Sequence, residues 1–157
     1  MKRRPERPPL RGLEIRPAVE ADFEAIYEIT VAAFGPYTVS KLLEDRYGQI
    51  AGRPWQAHKG EGVVAGCRLG YVLVAERQGT VVGYATWRQD ETVGVVGNNA
   101  VHPDLQGWGI GTALISAVVE RLREDGATLL EVSTLEHDLP ARRVYGKLGF
   151  RETGRTV

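Results

Sequence analysis

Twenty basic and twenty acidic side chains cancel over 157 residues, so no overall field draws the chain to nucleic acid or to an anionic membrane, and its partners must be recognised locally. The length suits one domain, large enough to bury about 70% of its unfolded surface in a single core. One cysteine, Cys67, excludes an intrachain disulfide, no apolar run reaches the length of a membrane span, and the start lacks the apolar core of a signal peptide; a cytoplasmic protein is expected.

Residues 1–11 are basic and rich in proline, with too little apolar surface to pack, and are expected to form a disordered tail ahead of a single domain over 12–157. Leu13–Arg16 alternates like a strand. Phe23, Ile26, Tyr27, Ile29, Thr30 and Phe34 then recur at helical spacing within Val19–Phe34, and Gly35-Pro36 stops that helix. A second helix is predicted over Val39–Tyr47, followed by a long glycine-containing stretch through Gly66. Connections of that length are usually functional, so this one is expected to shape a binding site, with Trp55 and His58 as a wall and a proton acceptor, or else as a packed anchor and a surface histidine. Tyr71–Ala75 and Thr80–Trp87 predict a hairpin, and a third antiparallel strand over Val93–Val101 leads into a glycine-rich turn. Ala127–Thr134 is the next strand, Asp138 or Pro140 starts a short helix carrying Tyr145, and Phe150–Thr153 begins a last strand.

The turn is the most informative stretch. Gly107, Gly109 and Gly111 fall within five residues, between an apolar strand and a helix whose Ile110, Leu114, Ile115, Val118 and Leu122 form one stripe. Glycines allow a sharp bend and leave backbone N–H groups uncovered, and the first turn of a helix has N–H groups without intrahelical partners. Such an element can cradle a phosphate, or can serve only close packing of helix on strand. The string lacks the lysine of a Walker A loop and the spacing of a dinucleotide fingerprint. Cys67 has no patterned base beside it and reads as a small packed residue.

Gln106, Gly109 and Gly111 stand in the register of the Q/R-x-x-G-x-G/A motif of the GNAT acyltransferases, with Val101-x-Pro103 leading in. About thirty residues on, Ala141-Arg142-Arg143-Val144-Tyr145-Gly146-Lys147-Leu148-Gly149-Phe150 resembles the A-x-x-x-Y-x-K-x-G-F signature of the same family. The resemblance covers roughly residues 13–153. It implies an α/β (α+β) fold, with a mixed, mostly antiparallel central sheet of six to seven strands, flanked by about four helices and with splayed central strands. It implies acetyl-CoA as co-substrate and no metal. It carries the cofactor-binding positions onto Ala100, Val101, Gln106, Gly107, Trp108, Gly109, Ile110, Gly111, Thr112, Arg142 and Tyr145, with Tyr145 as the acid that protonates the departing thiolate. Tyr145 is equally placed to join the buried face of its helix with Ala141, Val144 and Leu148.

Three departures stand beside the resemblance. Val93–Val101 contains Asn98 and Asn99 and no carboxylate, where many members carry a glutamate; Glu131 on the next strand and Glu91 at the strand's start are then the candidate bases, and a water relay is the alternative. His102 lies beside the turn and is expected to touch cofactor or solvent. In Leu135–Leu139, His137 or Asp138 takes the place of an asparagine that holds the pantetheine in many members. The chain stops soon after Phe150, so a sheet edge is expected to be covered by a second copy, as a homodimer, or guarded by Arg151, Glu152 and Arg155. The function implied is transfer of the acetyl group of acetyl-CoA to a primary amine of a small molecule or peptide by direct attack in a ternary complex, with no nucleic-acid or membrane partner. The alternative is a non-catalytic acyl-CoA-binding regulatory domain.

Overall fold

A computed structural model describes residues 10–35 and 38–156. Most of the expected N-terminal tail and Pro36 therefore lie outside the described residues. In chain order the elements are β1 (Leu13–Pro17), a short 3-10 turn (Glu20–Asp22), α1 (Phe23–Phe34), α2 (Val39–Tyr47), α3 (Trp55–Leu69), β2 (Tyr71–Arg77), β3 (Thr80–Asp90) and β4 (Val93–Val101). A second 3-10 turn (Pro103–Leu105), α4 (Ile110–Glu124), β5 (Leu129–Val132) and α5 (Leu139–Lys147) complete the chain. The sheet runs β1-β2-β3-β4-β5, antiparallel except for the parallel pair β4 and β5.

Alternation along the strands builds two cores. Leu73, Ala75, Ala85, Trp87 and Val96 face α4, whose stripe Ile110, Leu114, Ile115, Val118 and Leu122 is almost fully buried. Val72, Val74 and Tyr84 face the other way, onto Ile26 and Ile29 of α1 and Val63 and Cys67 of α3. In that second core Thr30 donates its hydroxyl proton to the Ile26 carbonyl at 2.7 Å, so the Tyr84 hydroxyl, also 2.7 Å away, is the donor to Thr30. Burial pushes the Cys67 thiol up to about 11, which keeps it protonated and inert.

The β2–β3 turn is tighter than the sequence pattern suggests. The strands extend to Arg77 and from Thr80, and the two residues between them, Gln78 and Gly79, have φ of 52° and 80°, the paired left-handed conformation of the commonest hairpin turns. The mixed sheet flanked by helices agrees with expectation, with five strands in place of six to seven and five helices in place of about four among the described residues. The missing strand is the one expected at Phe150–Thr153. There the Phe150 N–H bonds back to the Tyr145 carbonyl at 3.0 Å and closes α5, while Arg155 ties the segment to Glu152 and Glu136 at 2.9 and 2.6 Å, through side chains and not through a ladder.

The long connection expected before Gly66 is also corrected: most of it is α3. Glycines 60, 62 and 66 hide the helical pattern, yet Gly60 is there because α3 lies directly on α1. A Cβ at position 60 would collide with the Tyr27 ring. Trp55 is buried beside Gly35 with its N–H donating to Glu44, and the His58 ring bonds the Ile50 carbonyl at 2.8 Å, so both residues anchor the start of this helix.

At the β1 edge of the sheet Arg16 joins β1, β2 and the entry to α1. Its Nε donates to Glu76 at 2.6 Å and its two Nη groups donate to Asp22 at 2.8 and 2.9 Å. Asp22 also accepts the Val19 N–H at 2.7 Å, and the Arg16 guanidinium holds its carboxyl below the ordinary carboxylate value. A depressed folded-state value contributes stability above the unfolded carboxylate range, and that contribution is lost as pH falls through the lowered value. Asp22→Asn should therefore destabilise the domain by about 1.5–3 kcal/mol in urea titrations at neutral pH. The gap to the wild type should narrow once pH drops below the ordinary carboxylate range; a gap that does not change with pH would show that the charge on Asp22 is not what stabilises this corner.

Candidate active site

β4 and β5 are paired only over Val93–Val96 and Leu129–Val132. Beyond Val96 the two strands part, and Gly97–Val101 keeps β3 as its only ladder partner among the described residues. A bulge marks the parting: Ala85 lies opposite Asn99 and Trp87 opposite Val96, so Thr86 alone faces both Gly97 and Asn98. Glycine is required at 97, because a Cβ there would stand 2.5 Å from the Thr86 hydroxyl oxygen. The same hydroxyl donates to the Asn98 carbonyl at 2.8 Å and holds the bulge.

Past the bulge the ladder bond from the His102 N–H to the Val82 carbonyl, 2.9 Å, sets the alternation. Ala100 and the His102 N–H turn to β3, whereas Asn99 and Val101 turn their backbone polar groups to the open side. Gln106 donates its side-chain amide to the Val101 carbonyl at 3.2 Å and folds the turn back on the end of β4. The His102 ring accepts the Asp104 N–H at 3.2 Å, which caps the short helical turn and places this ring in a structural bond.

Gly107 and Gly109 have φ of 82° and 84°, a conformation that disfavours any side chain, and a Cβ on either would project into open space. Gly109 is the N-cap of α4 and no side chain caps it, so the N–H groups of Ile110, Gly111 and Thr112 in the first turn have no intrahelical acceptor. The Ile110 side chain is buried, so only its backbone faces the turn. Trp108 is half-buried. At Gly111 an added Cβ would sit 3.6 Å from Val101 and 3.8 Å from Val144, which fixes the turn between the end of β4 and α5. Uncovered N–H groups, a positive helix end and a bare glycine surface fit a phosphate group.

α5 begins at Asp138, whose carboxylate accepts the Ala141 N–H at 3.1 Å, and it delivers Tyr145 to the open side of β4. Tyr145 is 7% exposed and packs edge-on to Phe150 with ring centroids 5.9 Å apart. Asn99 donates to the Tyr145 phenol oxygen at 2.9 Å, and its amide also donates to the Gly97 carbonyl at 3.0 Å. Burial pushes the phenol above its ordinary value and the charge of Asp138 adds to this, while the bond from Asn99 pulls the other way. The group is therefore a neutral proton donor at neutral pH. Its oxygen accepts from Asn99, so its hydrogen is left to point elsewhere.

The structure thus brings Val101, Gln106, the glycine turn, Thr112 and Tyr145 to one end of the sheet. Arg142 lies on the same helix as Tyr145, with its guanidinium on the Glu136 carbonyl at 3.0 Å and on Glu152 at 3.2 Å, where it ties down the C-terminal segment. Glu131 does not join the group. Leu130 and Val132 point to the α4 core, so Glu131 stands on the opposite face of β5 from Tyr145, exposed beside Arg88 and Glu91. Glu91 is in the β3–β4 turn, at the end of β4 remote from the splay, with φ of 52°. One residue near the bulge carries no signal in the sequence. Lys59 of α3 donates to the Asn98 side-chain oxygen at 3.0 Å, with its ammonium 4.4 Å from the centre of the Phe34 ring. Only the helical phase of α3 turns Lys59 to β4, and its glycines obscure that phase.

With this geometry in place the comparisons are decisive for family. A model of the acetyltransferase (GNAT) family matches residues 23–150, and the chain belongs to that family. Mycothiol acetyltransferase of Brachybacterium faecium is 29% identical over 158 residues, spanning 96% of this chain and 44% of that protein. The L-methionine sulfoximine/L-methionine sulfone acetyltransferase of Salmonella typhimurium is 32% identical over 93 residues, 55% of this chain and 54% of the relative. The chain spans about half the length, or less, of these curated relatives. Among solved structures, a GNAT family acetyltransferase of Brucella melitensis in complex with acetyl-CoA is 27% identical with a TM-score of 0.64, covering 89% of this chain and 83% of that one. The PaiA N-acetyltransferase of Thermoplasma acidophilum in complex with coenzyme A, 16% identical with a TM-score of 0.70 over 88% of this chain and 89% of that one, shares the fold.

The bond between Asn99 and Tyr145 has a measurable consequence. A donor to the phenol oxygen favours the phenolate, so Asn99→Ala should move the ionisation of Tyr145 to still higher pH. Titration of the protein carrying carbon-13 at the tyrosine Cζ, with Tyr145 assigned by its substitution, should show that resonance moving at higher pH than in the wild type; no movement would mean that the amide is not bonded to the phenol in solution.

Proposed function

We propose that this chain is an acetyl-CoA-dependent N-acetyltransferase that modifies a primary amine of a small molecule or peptide by direct attack in a ternary complex. The observation that carries this is the Tyr145 phenol, buried, protonated and fixed by Asn99 where β4 and β5 part, at the same end of the sheet as the glycine turn. Family membership, and relatives and a structural neighbour named as acetyltransferases, support the same activity.

The glycine turn and first turn of α4 offer their N–H groups to the pyrophosphate. Bound acetyl-CoA supplies a thioester whose carbonyl carbon bonds to the amine nitrogen as its C–S bond breaks. The outward backbone N–H groups of Asn99 and Val101 are the donors for the thioester oxygen. Tyr145 gives its proton to the departing sulfur and is reprotonated from solvent. The amine must arrive unprotonated: for a lysine-like acceptor of pKa about 10.4, removing its proton near pH 7.4 costs roughly 4 kcal/mol, and an amine of lower pKa needs less. β4 has no carboxylate for this step and Glu131 stands on the opposite face of the sheet from Tyr145, so the proton leaves through water. The balance is an amide, free thiol and one proton released for each ammonium consumed. The outer edge of β5, unpaired among the described residues, supports a homodimer formed there.

The absent β4 carboxylate favours one second reading, an acyl-CoA-binding domain without turnover. Two variants separate the readings. Gly109→Glu places a carboxylate and a Cβ where the pyrophosphate would lie, and should abolish acetyl-CoA binding in calorimetry; retained binding overturns the assignment of the turn. Tyr145→Phe should keep that binding and lower turnover about 10²–10⁴-fold in a thiol-release assay. Unchanged turnover removes the phenol from the chemistry, and binding without turnover on any amine in the wild type favours the regulator.

A further inference from the structure

Most basic side chains near α3 have an acidic partner. Arg53, just before the helix, pairs with Glu61 at 2.5 Å, and Arg68 near its end pairs with Glu20. Lys59 between them does not: among the described residues no carboxylate lies within ion-pair distance of its ammonium. It is half-buried over the Phe34 ring, 4.4 Å from the centroid, and its bond to Asn98 at 3.0 Å uses one of three N–H donors. Asn98 accepts that bond through its side-chain oxygen, so its amide nitrogen keeps two further hydrogens, and no acceptor for them is present among the described residues. A cation drawn out of water without a counter-charge is costly, and burial disfavours its charged form. An anion placed between the ammonium and the Asn98 amide would relieve that cost with two converging donors.

The bulge fixes where that anion would sit. Asn98 and Asn99 are consecutive, yet Asn98 meets Lys59 on the α3 face and Asn99 meets Tyr145 on the α5 side. Their Cα atoms are about 3.8 Å apart across one trans peptide. A group held at Asn98 therefore lies on the α3 side of β4, across the strand from the Tyr145 phenol, with the outward N–H groups of Asn99 and Val101 between the two.

We propose that Lys59 and Asn98 form the acceptor's anion-recognition point, and that the amine substrate carries a carboxylate, as an amino acid does. Lys59 has this role only if the chain is the N-acetyltransferase proposed above. Lys59 is then a specificity residue that acts through the acceptor's carboxylate.

Two measurements with the full chain test this. In the first, the standard L-amino acids, β-alanine and 4-aminobutyrate are each compared with their carboxamides as acceptors, by thiol release. The wild type should prefer the carboxylate member of its best pair. Lys59→Met should raise KM for that member roughly ten- to hundredfold with little change in kcat and should leave the carboxamide unaltered, while Lys59→Arg should keep the preference. No preference in the wild type, or a preference that survives Lys59→Met, overturns the proposal. The second measurement is calorimetry of the N-acetylated amino acids and their carboxamides against CoA-saturated protein, and it does not depend on turnover. Binding of a carboxylate that is lost in Lys59→Met and kept in Lys59→Arg supports the anion point even if no amine is acetylated, in which case the acetyltransferase reading alone fails. Equal binding of acid and carboxamide, or no binding of either, overturns it.

Discussion

Everything functional in this domain depends on β4 losing one of its two neighbours halfway along its length. Up to Val96 it is a central strand, bonded to β3 on one side and β5 on the other. After Val96 it keeps β3 and turns its remaining backbone groups to open space. A central strand that abandons a partner leaves donors and acceptors unsatisfied, which is unfavourable unless water or a ligand completes them. The bulge at Gly97–Asn98 makes the change possible, because an extra residue on one strand bends it and breaks the ladder with β5 while the ladder with β3 resumes at Asn99.

The groups gathered at this opening come from parts of the chain far apart in sequence, and each is held by a different physical device. The glycine turn is set by two positive φ angles and by Gln106 on the Val101 carbonyl. Tyr145 is set by the Asp138 cap that starts α5 and by the amide of Asn99. Lys59 is set by the close packing of α3 on α1 through Gly60 and Tyr27. Two cores, one on each face of the sheet, keep these devices in register: the α4 core fixes the turn and Tyr145, and the core beneath α1 and α3 fixes Lys59. The opening therefore has two chemically distinct sides, a phenol with backbone donors on one and an ammonium with a side-chain amide on the other.

Arg16 does comparable work at the β1 edge of the sheet. Its fork joins Asp22 and Glu76, so the first strand, the second strand and the entry to α1 are locked by charge-assisted bonds and not by apolar contact. That lock lies in the same cross-strand row as Ala100, with β2 and β3 between it and the opening in β4.

Local pattern was enough to locate β1, α1, α2, the three-stranded meander, α4 and the helix of Tyr145, because each shows its period within a dozen residues. The glycine turn and the Tyr145 segment were legible as a pair for the same reason: their residues are close in sequence and their types are constrained by backbone geometry. What escaped was long-range. α3 was hidden because Gly60 is chosen by the Tyr27 ring across the interface and not by helix propensity, and with it went the direction of Lys59. Glu131 looked available because a strand pattern gives alternation but does not say which face meets the splay. Phe150–Thr153 looked like a strand, but the Phe150 N–H closes α5 and Glu152 pairs with Arg142 and Arg155 in place of a ladder. The sequence by itself determined most of the elements, the turn and the family, since those rest on contacts between near neighbours. Only the tertiary structure decided which face each strand residue meets, which amide holds the phenol and which cation reaches the bulge, since those depend on how distant segments pack.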